Sequence, residues 1–270
     1  MSTGYYLADP TGNITLLAVK PDCREHLSEL PEMAAALMKL EPSAEQVGFL
    51  SAGTQGTDIS LTMAGGEFCG NAALSAAAVS LLEKEQTFPM DEKTSVLVDV
   101  YGTEKPVEVC IRCTGEKTFE GTVSMPPAIS VETKHFRING SEYRMPAVSF
   151  QGITHLICAP SDGILFRDRA LAEKAVVRWC GEMETEAMGI MFLDAEKDTL
   201  LPLVYVSSAK TLFWENSCAS GTSAAGVYLA EKNGESIKRS FREPAGLLTV
   251  EATADGKVSF SGTVVIRKTP

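Results

Sequence analysis

The chain has no excess of positive charge. Its 24 Lys and Arg are outnumbered by 35 Asp and Glu, giving a formal net charge of −11 over 270 residues. That balance argues against nucleic acid or an anionic membrane surface as a partner. Long apolar runs are also missing. The longest, Ala72 to Leu82, is too short to span a bilayer and contains Ser75 and Ser80. The opening residues, Met1 to Tyr6, show no basic stretch followed by an apolar one. No secretory leader is read there, and a cytoplasmic setting is expected. Seven cysteines, an odd number without regular spacing, give no disulfide framework and are expected to be reduced. A metal site is not expected either. Cys110 and Cys113 resemble half of one, but no second Cys/His pair completes it. They lie in Val107 to Cys113, which alternates like a strand. Cys113 shares the apolar face with Val107, Val109 and Ile111, and Cys110 points the other way.

A composition of 44% hydrophobic and 22% charged residues predicts a sizeable folded core. Strand patterns dominate. They are read at Ile14–Val19, Asp58–Met63, Ser95–Val100, Gly121–Met125, Ala187–Phe192 and Leu201–Val206, with a closing pair at Leu247–Glu251 and Val258–Ile266. Leu30–Leu40 and Asp168–Trp179 read as amphipathic peripheral helices. Ala72–Leu82 has no charge until Glu83, so it is expected to be buried on most sides, and Ser223–Lys232 is similar. Pro126-Pro127 ends a strand and marks a passage between halves.

Two cysteines stand out against this background. Each opens a glycine-containing turn into a small-residue helix. The first lies in Gly65-Gly66-Glu67-Phe68-Cys69-Gly70-Asn71-Ala72-Ala73, the second in Trp214-Glu215-Asn216-Ser217-Cys218-Ala219-Ser220-Gly221-Thr222. The order strand, acidic residue, Cys, turn, buried helix is thus made twice, as a weak internal repeat. A sheet wrapped around a buried helix, twice over, is the economical α/β architecture. Close helix–sheet packing accounts for the alanines, but not for a Cys, an acidic residue and a Gly at both helix starts.

A thiol at a helix N-terminus is biased toward thiolate by the dipole and the free N–H groups. Two such thiols bracketing one carbon form a two-base proton-transfer site that needs no cofactor. Backbone N–H groups around Gly70-Asn71 and Ser220-Gly221-Thr222 are candidates to hold an amino-acid carboxylate and the charge that moves onto it.

The wording Glu67-Phe68-Cys69-Gly70-Asn71-Ala72 and Ser217-Cys218-Ala219-Ser220-Gly221-Thr222 resembles the two active-site motifs of the diaminopimelate epimerase superfamily. The resemblance extends to Pro10-Thr11-Gly12-Asn13 and Met125-Pro126-Pro127, and so touches most of the chain in order. It is closer to the histidine racemases, which share Glu45-Gln46-Val47-Gly48-Phe49 and Trp214-Glu215-Asn216-Ser217-Cys218. Two departures from diaminopimelate epimerase point the same way. Lys210 to Glu215 offers no Arg for a second substrate carboxylate, and Gly152-Ile153-Thr154-His155 lacks the expected Asn.

The resemblance implies two pseudo-symmetric domains. One covers 1–126 with Cys69, completed by a strand near 262–270; the other covers 127–261 with Cys218. It implies a cofactor-independent isomerase acting on a small-molecule amino acid, histidine first and diaminopimelate or another amino acid as the alternative. Cys69 and Cys218 are the catalytic pair. Asn13 is expected to meet the substrate, or merely to shape a turn with Gly12. Glu45 faces the side chain or amino group, or is a surface carboxylate. His155 tunes thiol protonation, or packs on a strand. Glu215 shapes the surroundings of Cys218 or caps its helix, and Phe213 and Trp214 wall a pocket or the core. Cys23, Cys158 and Cys180 read as core or surface thiols without partners. Homodimers are frequent in the family, but no interface signature is read here. Two other classes fit less of the sequence. A thiol redox protein does not explain thiols placed on separate helices, and a non-catalytic binder does not explain both Cys motifs.

Overall fold

The computed structural model describes residues 4–54, 56–84, 91–207 and 210–269. The chain divides into two compact units, Met1–Met125 with Ser259–Pro270, and Pro126–Val258. In chain order the first unit holds β1 (Tyr5–Pro10), β2 (Thr15–Val19), α1 (Leu30–Leu40), β3 (Gln46–Ala52), β4 (Ile59–Met63), α2 (Gly70–Glu83), β5 (Thr94–Val100), β6 (Val107–Gly115) and β7 (Thr118–Met125). The second holds β8 (Ser130–Ile138), β9 (Ser141–Phe150), β10 (Ile153–Cys158), α3 (Ile164–Arg167), α4 (Arg169–Glu182), β11 (Ala187–Asp194), β12 (Thr199–Val206), β13 (Thr211–Trp214), α5 (Ala219–Asn233), β14 (Ile237–Glu243) and β15 (Gly246–Ala252). Strand β16 (Val258–Lys268) returns to the first unit.

In the first unit β1 to β7 and β16 form an eight-strand sheet. It closes on itself because β1 also pairs antiparallel with β16, Ala8 opposite Ile266 and Pro10 opposite Val264. Closure leaves no free sheet edge. Two of its pairs are parallel, β2–β3 and β4–β5. A parallel pair cannot be joined by a tight turn, so each needs a crossover. These are α1 and α2. α1 keeps an exposed side and buries Leu30 and Ala34. α2 has no polar face: every residue from Gly70 to Leu81 is buried, and it packs against β1, β2 and β4 to β7.

The second unit repeats the device. Its sheet runs β8-β9-β10-β11-β12-β14-β15, with β13 on β12. The parallel pairs are β10–β11, bridged by α3 and α4, and β12–β14, bridged by α5. Trp179 of α4 is fully buried and stacks on Phe136 at 4.6 Å between ring centroids. The buried start of α5 is built of small residues, Ala219, Gly221 to Gly226, and it packs against β9, β10, β11, β14 and β15. Gly234 ends it in the left-handed conformation.

The strands and helices read from the sequence are present, most with longer ends, although β2 and β4 each begin one residue later and several strands, β1, β8 and β9 among them, carried no reading. Asp168 proves to be the N-cap of α4, its Oδ1 accepting from the Leu171 N–H at 3.0 Å. Cys110 is exposed on β6 while Val107, Val109 and Ile111 are buried. Among the described residues no His/Cys/Asp/Glu group is fit to hold a metal, and no helix is long and apolar enough to cross a membrane.

Candidate functional site

Cys69 and Cys218 are N-cap residues of α2 and α5, and they cap in the same way. Both have extended backbone, with φ −128° at Cys69 and −137° at Cys218. The Cys69 Sγ accepts from the Ala72 N–H at 3.4 Å, and the Cys69 carbonyl from the Ala73 N–H at 3.0 Å. The Cys218 Sγ accepts from the Gly221 N–H at 3.3 Å, and the Cys218 carbonyl from the Thr222 N–H at 2.8 Å. The sulfur thus replaces the hydroxyl or carboxylate oxygen that usually caps a helix. Gly221 is required here. A Cβ on it would lie 2.2 Å from the Met191 Sδ and 3.2 Å from the Cys218 Sγ.

Around Cys69 the first unit assembles an amide network. The thiol donates to the Gln46 Oε1 at 3.4 Å. The Gln46 amide nitrogen donates to the Asn13 Oδ1 and the Thr15 Oγ1, both at 2.7 Å. Asn71 donates to the same Asn13 oxygen at 3.1 Å, and the Asn13 amide nitrogen donates to the Glu45 Oε2 at 2.8 Å. Asn13 is held in the turn between β1 and β2, where the Gly12 N–H meets the Asp9 Oδ1 at 2.6 Å. The parallel register Thr15 opposite Gln46 brings that turn beside the start of β3. Cys69, Asn13, Glu45 and Asn71 therefore stand together, joined by Gln46, which the sequence reading did not single out. Its one signal was its place next to Glu45. Gly70 is the buried first residue of α2. Glu67 has its Oε2 enclosed without a hydrogen-bond partner among the described residues, and burial pushes its carboxyl above the usual range.

The second unit surrounds Cys218 differently. Cys218 is buried, with 6% of its surface exposed. The Ser220 Oγ lies 3.5 Å from its Sγ and 2.9 Å from the His155 Nε2. His155, on β10, is fully buried, and burial pulls its pKa down to about 3, so the ring is neutral. Its Nδ1 faces Gly189 of the neighbouring β11, where an added Cβ would sit 2.3 Å away. Cys218, Ser220 and His155 form one chain of polar atoms, which links His155 to the thiol. The Gly221 and Thr222 N–H groups are both committed to Cys218, so these two residues build the cap.

The expected thiolate bias needs correction at Cys218. Burial, together with Glu215 and Glu243, drives this thiol well above its ordinary value. Desolvation and like charge outweigh the helix terminus. Glu243 was not singled out from the sequence, where it follows Lys238, Arg239 and Arg242. The remaining candidates are structural. Trp214 stacks on Phe192 at 5.4 Å and donates to the Glu173 Oε1 at 2.7 Å, while Phe213 is exposed. Cys23, Cys158 and Cys180 are buried free thiols.

The family described as "Histidine racemase CntK N-terminal domain" matches residues 4–267. The chain belongs to this family. It is an isomerase of the racemase and epimerase type. Two relatives from strains of Fusobacterium nucleatum subsp. nucleatum are each named histidine racemase. One is 34% identical over 223 residues, 82% of this chain and 78% of the relative. The other is 32% identical over 266 residues, 93% of this chain and 94% of the relative. Among solved structures, a probable proline racemase from Agrobacterium radiobacter with bound carbonate shares the fold. Its TM-score is 0.70 at 14% identity, covering 98% of this chain and 92% of that one.

Proposed function

We propose that this member of the family is a cofactor-independent histidine racemase in which Cys69 and Cys218 work as acid and base. The observation that carries the reading is the cap made twice, in which each sulfur accepts the N–H three residues ahead at the start of a buried helix. The relatives named histidine racemase supply the substrate. We read the two units as the pseudo-symmetric halves of a diaminopimelate-epimerase-like fold, each a sheet around its helix, and the setting as cytoplasmic.

In this reading one thiolate takes the α-hydrogen from one face of the amino acid. The other thiol gives a proton to the opposite face, and the charge state of the pair is reversed. The substrate carboxylate takes the charge that develops, held by N–H groups at the helix starts around Gly70-Asn71 and Ser220. Glu45, fixed by Asn13, accepts from the imidazole N–H or the ammonium group. A site that hydrogen-bonds a polar side chain rejects analogues lacking it, because its own polar groups then go unpaired.

The test is incubation of the pure protein with L- or D-histidine in deuterated water, with chiral chromatography and mass spectrometry of the product. Inversion with one solvent deuterium at the α-carbon, unaffected by chelator and without added pyridoxal phosphate, is expected. A strong preference for diaminopimelate would overturn the substrate, and no exchange with any amino acid would overturn the reaction.

A further inference from the structure

Glu243 presents a physical puzzle. It lies at the end of β14 with 3% of its surface exposed, and no cation pairs with it among the described residues. An isolated buried carboxylate is expensive. Both its oxygens are committed to the first turn of α5. Oε2 accepts from the Cys218 N–H at 2.7 Å, and Oε1 from the Thr222 hydroxyl. Helix capping alone does not call for it, because the Cys218 sulfur already fills the cap. A neutral side chain would take the remaining N–H at far smaller desolvation cost.

We propose that Glu243 is a positioning residue for Cys218, its carboxylate fixing the first turn of α5 and biasing the sulfur to the thiol form. This rests on the two-thiol reading above and assigns Cys218 the proton in the resting protein. Carboxylate and thiolate disfavour one another across the backbone of one residue. When Glu243 takes up a proton, the obstacle to a Cys218 thiolate is relieved. Burial lifts the Glu243 pKa to about 8, so the carboxylate and the bias it exerts are in force above about pH 8, the range in which the thiol itself titrates. The other titratable groups at this place are Glu215, just before the turn, which pushes both groups upward, and His155 on β10, which is neutral. On the other strands packed against α5, Glu142 on β9, Asp194 on β11 and Glu251 on β15 are paired with cations at the surface, and Arg144 on β9 is exposed.

The direct test is thiolate absorbance near 240 nm between pH 6 and 11, for wild type and for Glu243→Gln. Each is read as a difference from the same protein carrying Cys218→Ser. Gln keeps the shape and one acceptor but not the charge. The Cys218 midpoint is expected to fall by about 1–3 pH units in Glu243→Gln, and to stay near wild type in Glu243→Asp. Thr222→Val, which removes one donor to the carboxylate, should shift it the same way by less, and it serves if Glu243→Gln does not fold. Folded variants whose Cys218 midpoint does not move would overturn the proposal and leave Glu243 a structural clamp. Because the readout is the thiol and not turnover, a moved midpoint in a protein that fails to racemise would condemn the two-thiol reading alone.

Discussion

The turns at Cys69 and Cys218 share a backbone and differ in what surrounds the sulfur. Both sulfurs accept the N–H three residues ahead, and both carbonyls the N–H four residues ahead. At Cys69, which is half-buried, the sulfur meets a side-chain amide, Gln46, whose other contacts run through Asn13 to Glu45. At Cys218, which is buried, it meets a hydroxyl that ends on a neutral imidazole, and a carboxylate grips its N–H. A repeated cap therefore fixes where a thiol sits, while the neighbouring strands fix how readily it gives up its proton. One thiol is set among side-chain amides and the other among a hydroxyl, an imidazole and a carboxylate.

The largest test of that contrast removes each sulfur. Cys69→Ser and Cys218→Ser should each lower racemisation by about 10²–10⁴-fold or more, since a neutral hydroxyl is a far weaker base. Slow exchange of the α-hydrogen of one enantiomer only would identify the face served by the surviving thiol. Full turnover in either variant would end the two-base reading.

Next comes the polar chain. Ser220→Ala removes the hydroxyl that links His155 to Cys218, and hydrogen bonds to charged groups contribute about 1.5–3 kcal/mol. Racemisation should fall by about 10–100-fold while Cys69 alkylation is unchanged. A rate within twofold of wild type would make the chain a packing detail.

Glu45→Ala sharpens the other side of the contrast. With about 1.4 kcal/mol lost from side-chain recognition, KM for histidine should rise about tenfold with kcat less affected. Equal loss for histidine and for an apolar amino acid would take Glu45 out of recognition.

The last effect is on stability and leaves activity at neutral pH aside. Folded His155 titrates at about 3 instead of its ordinary 6.5. The unfolded chain therefore takes up a proton that the folded chain refuses. The contribution is fully present above about pH 6.5 and is lost as pH falls toward 3, at up to about 1.4 kcal/mol per pH unit. Urea midpoints measured from pH 7 to pH 4 should fall less steeply in His155→Leu than in wild type. Parallel slopes would show that other groups govern acid unfolding.

Local signals made much of this legible. The run of small residues after each Cys foretold a buried helix, because it has no polar face to turn outward. Asn13, Glu45 and Asn71 were marked by motif wording, and their side chains do meet. What escaped was non-local. The resemblance implied a completing strand near 262–270 for the first unit, but no local signal pointed to the pairing of β1 with β16 that closes its sheet. Gln46 is an ordinary polar residue at a strand start until the register places it under Asn13. Glu243 sits among Lys238, Arg239 and Arg242, and only the approach of α5, 25 residues back, buries it. The thiolate bias failed at Cys218 for the same reason. A dipole can be read from a helix start, but desolvation comes from the neighbours.

The missing side chain at Gly189 makes His155 a cul-de-sac for protons. With the strand backbone pressed against Nδ1, the ring has one working nitrogen, and that nitrogen is tied to Ser220. The imidazole can turn the serine hydroxyl toward or away from sulfur, yet it has no second hand with which to pass a hydrogen ion outward. A proton that reaches Ser220 from the sulfur therefore goes no further along this chain.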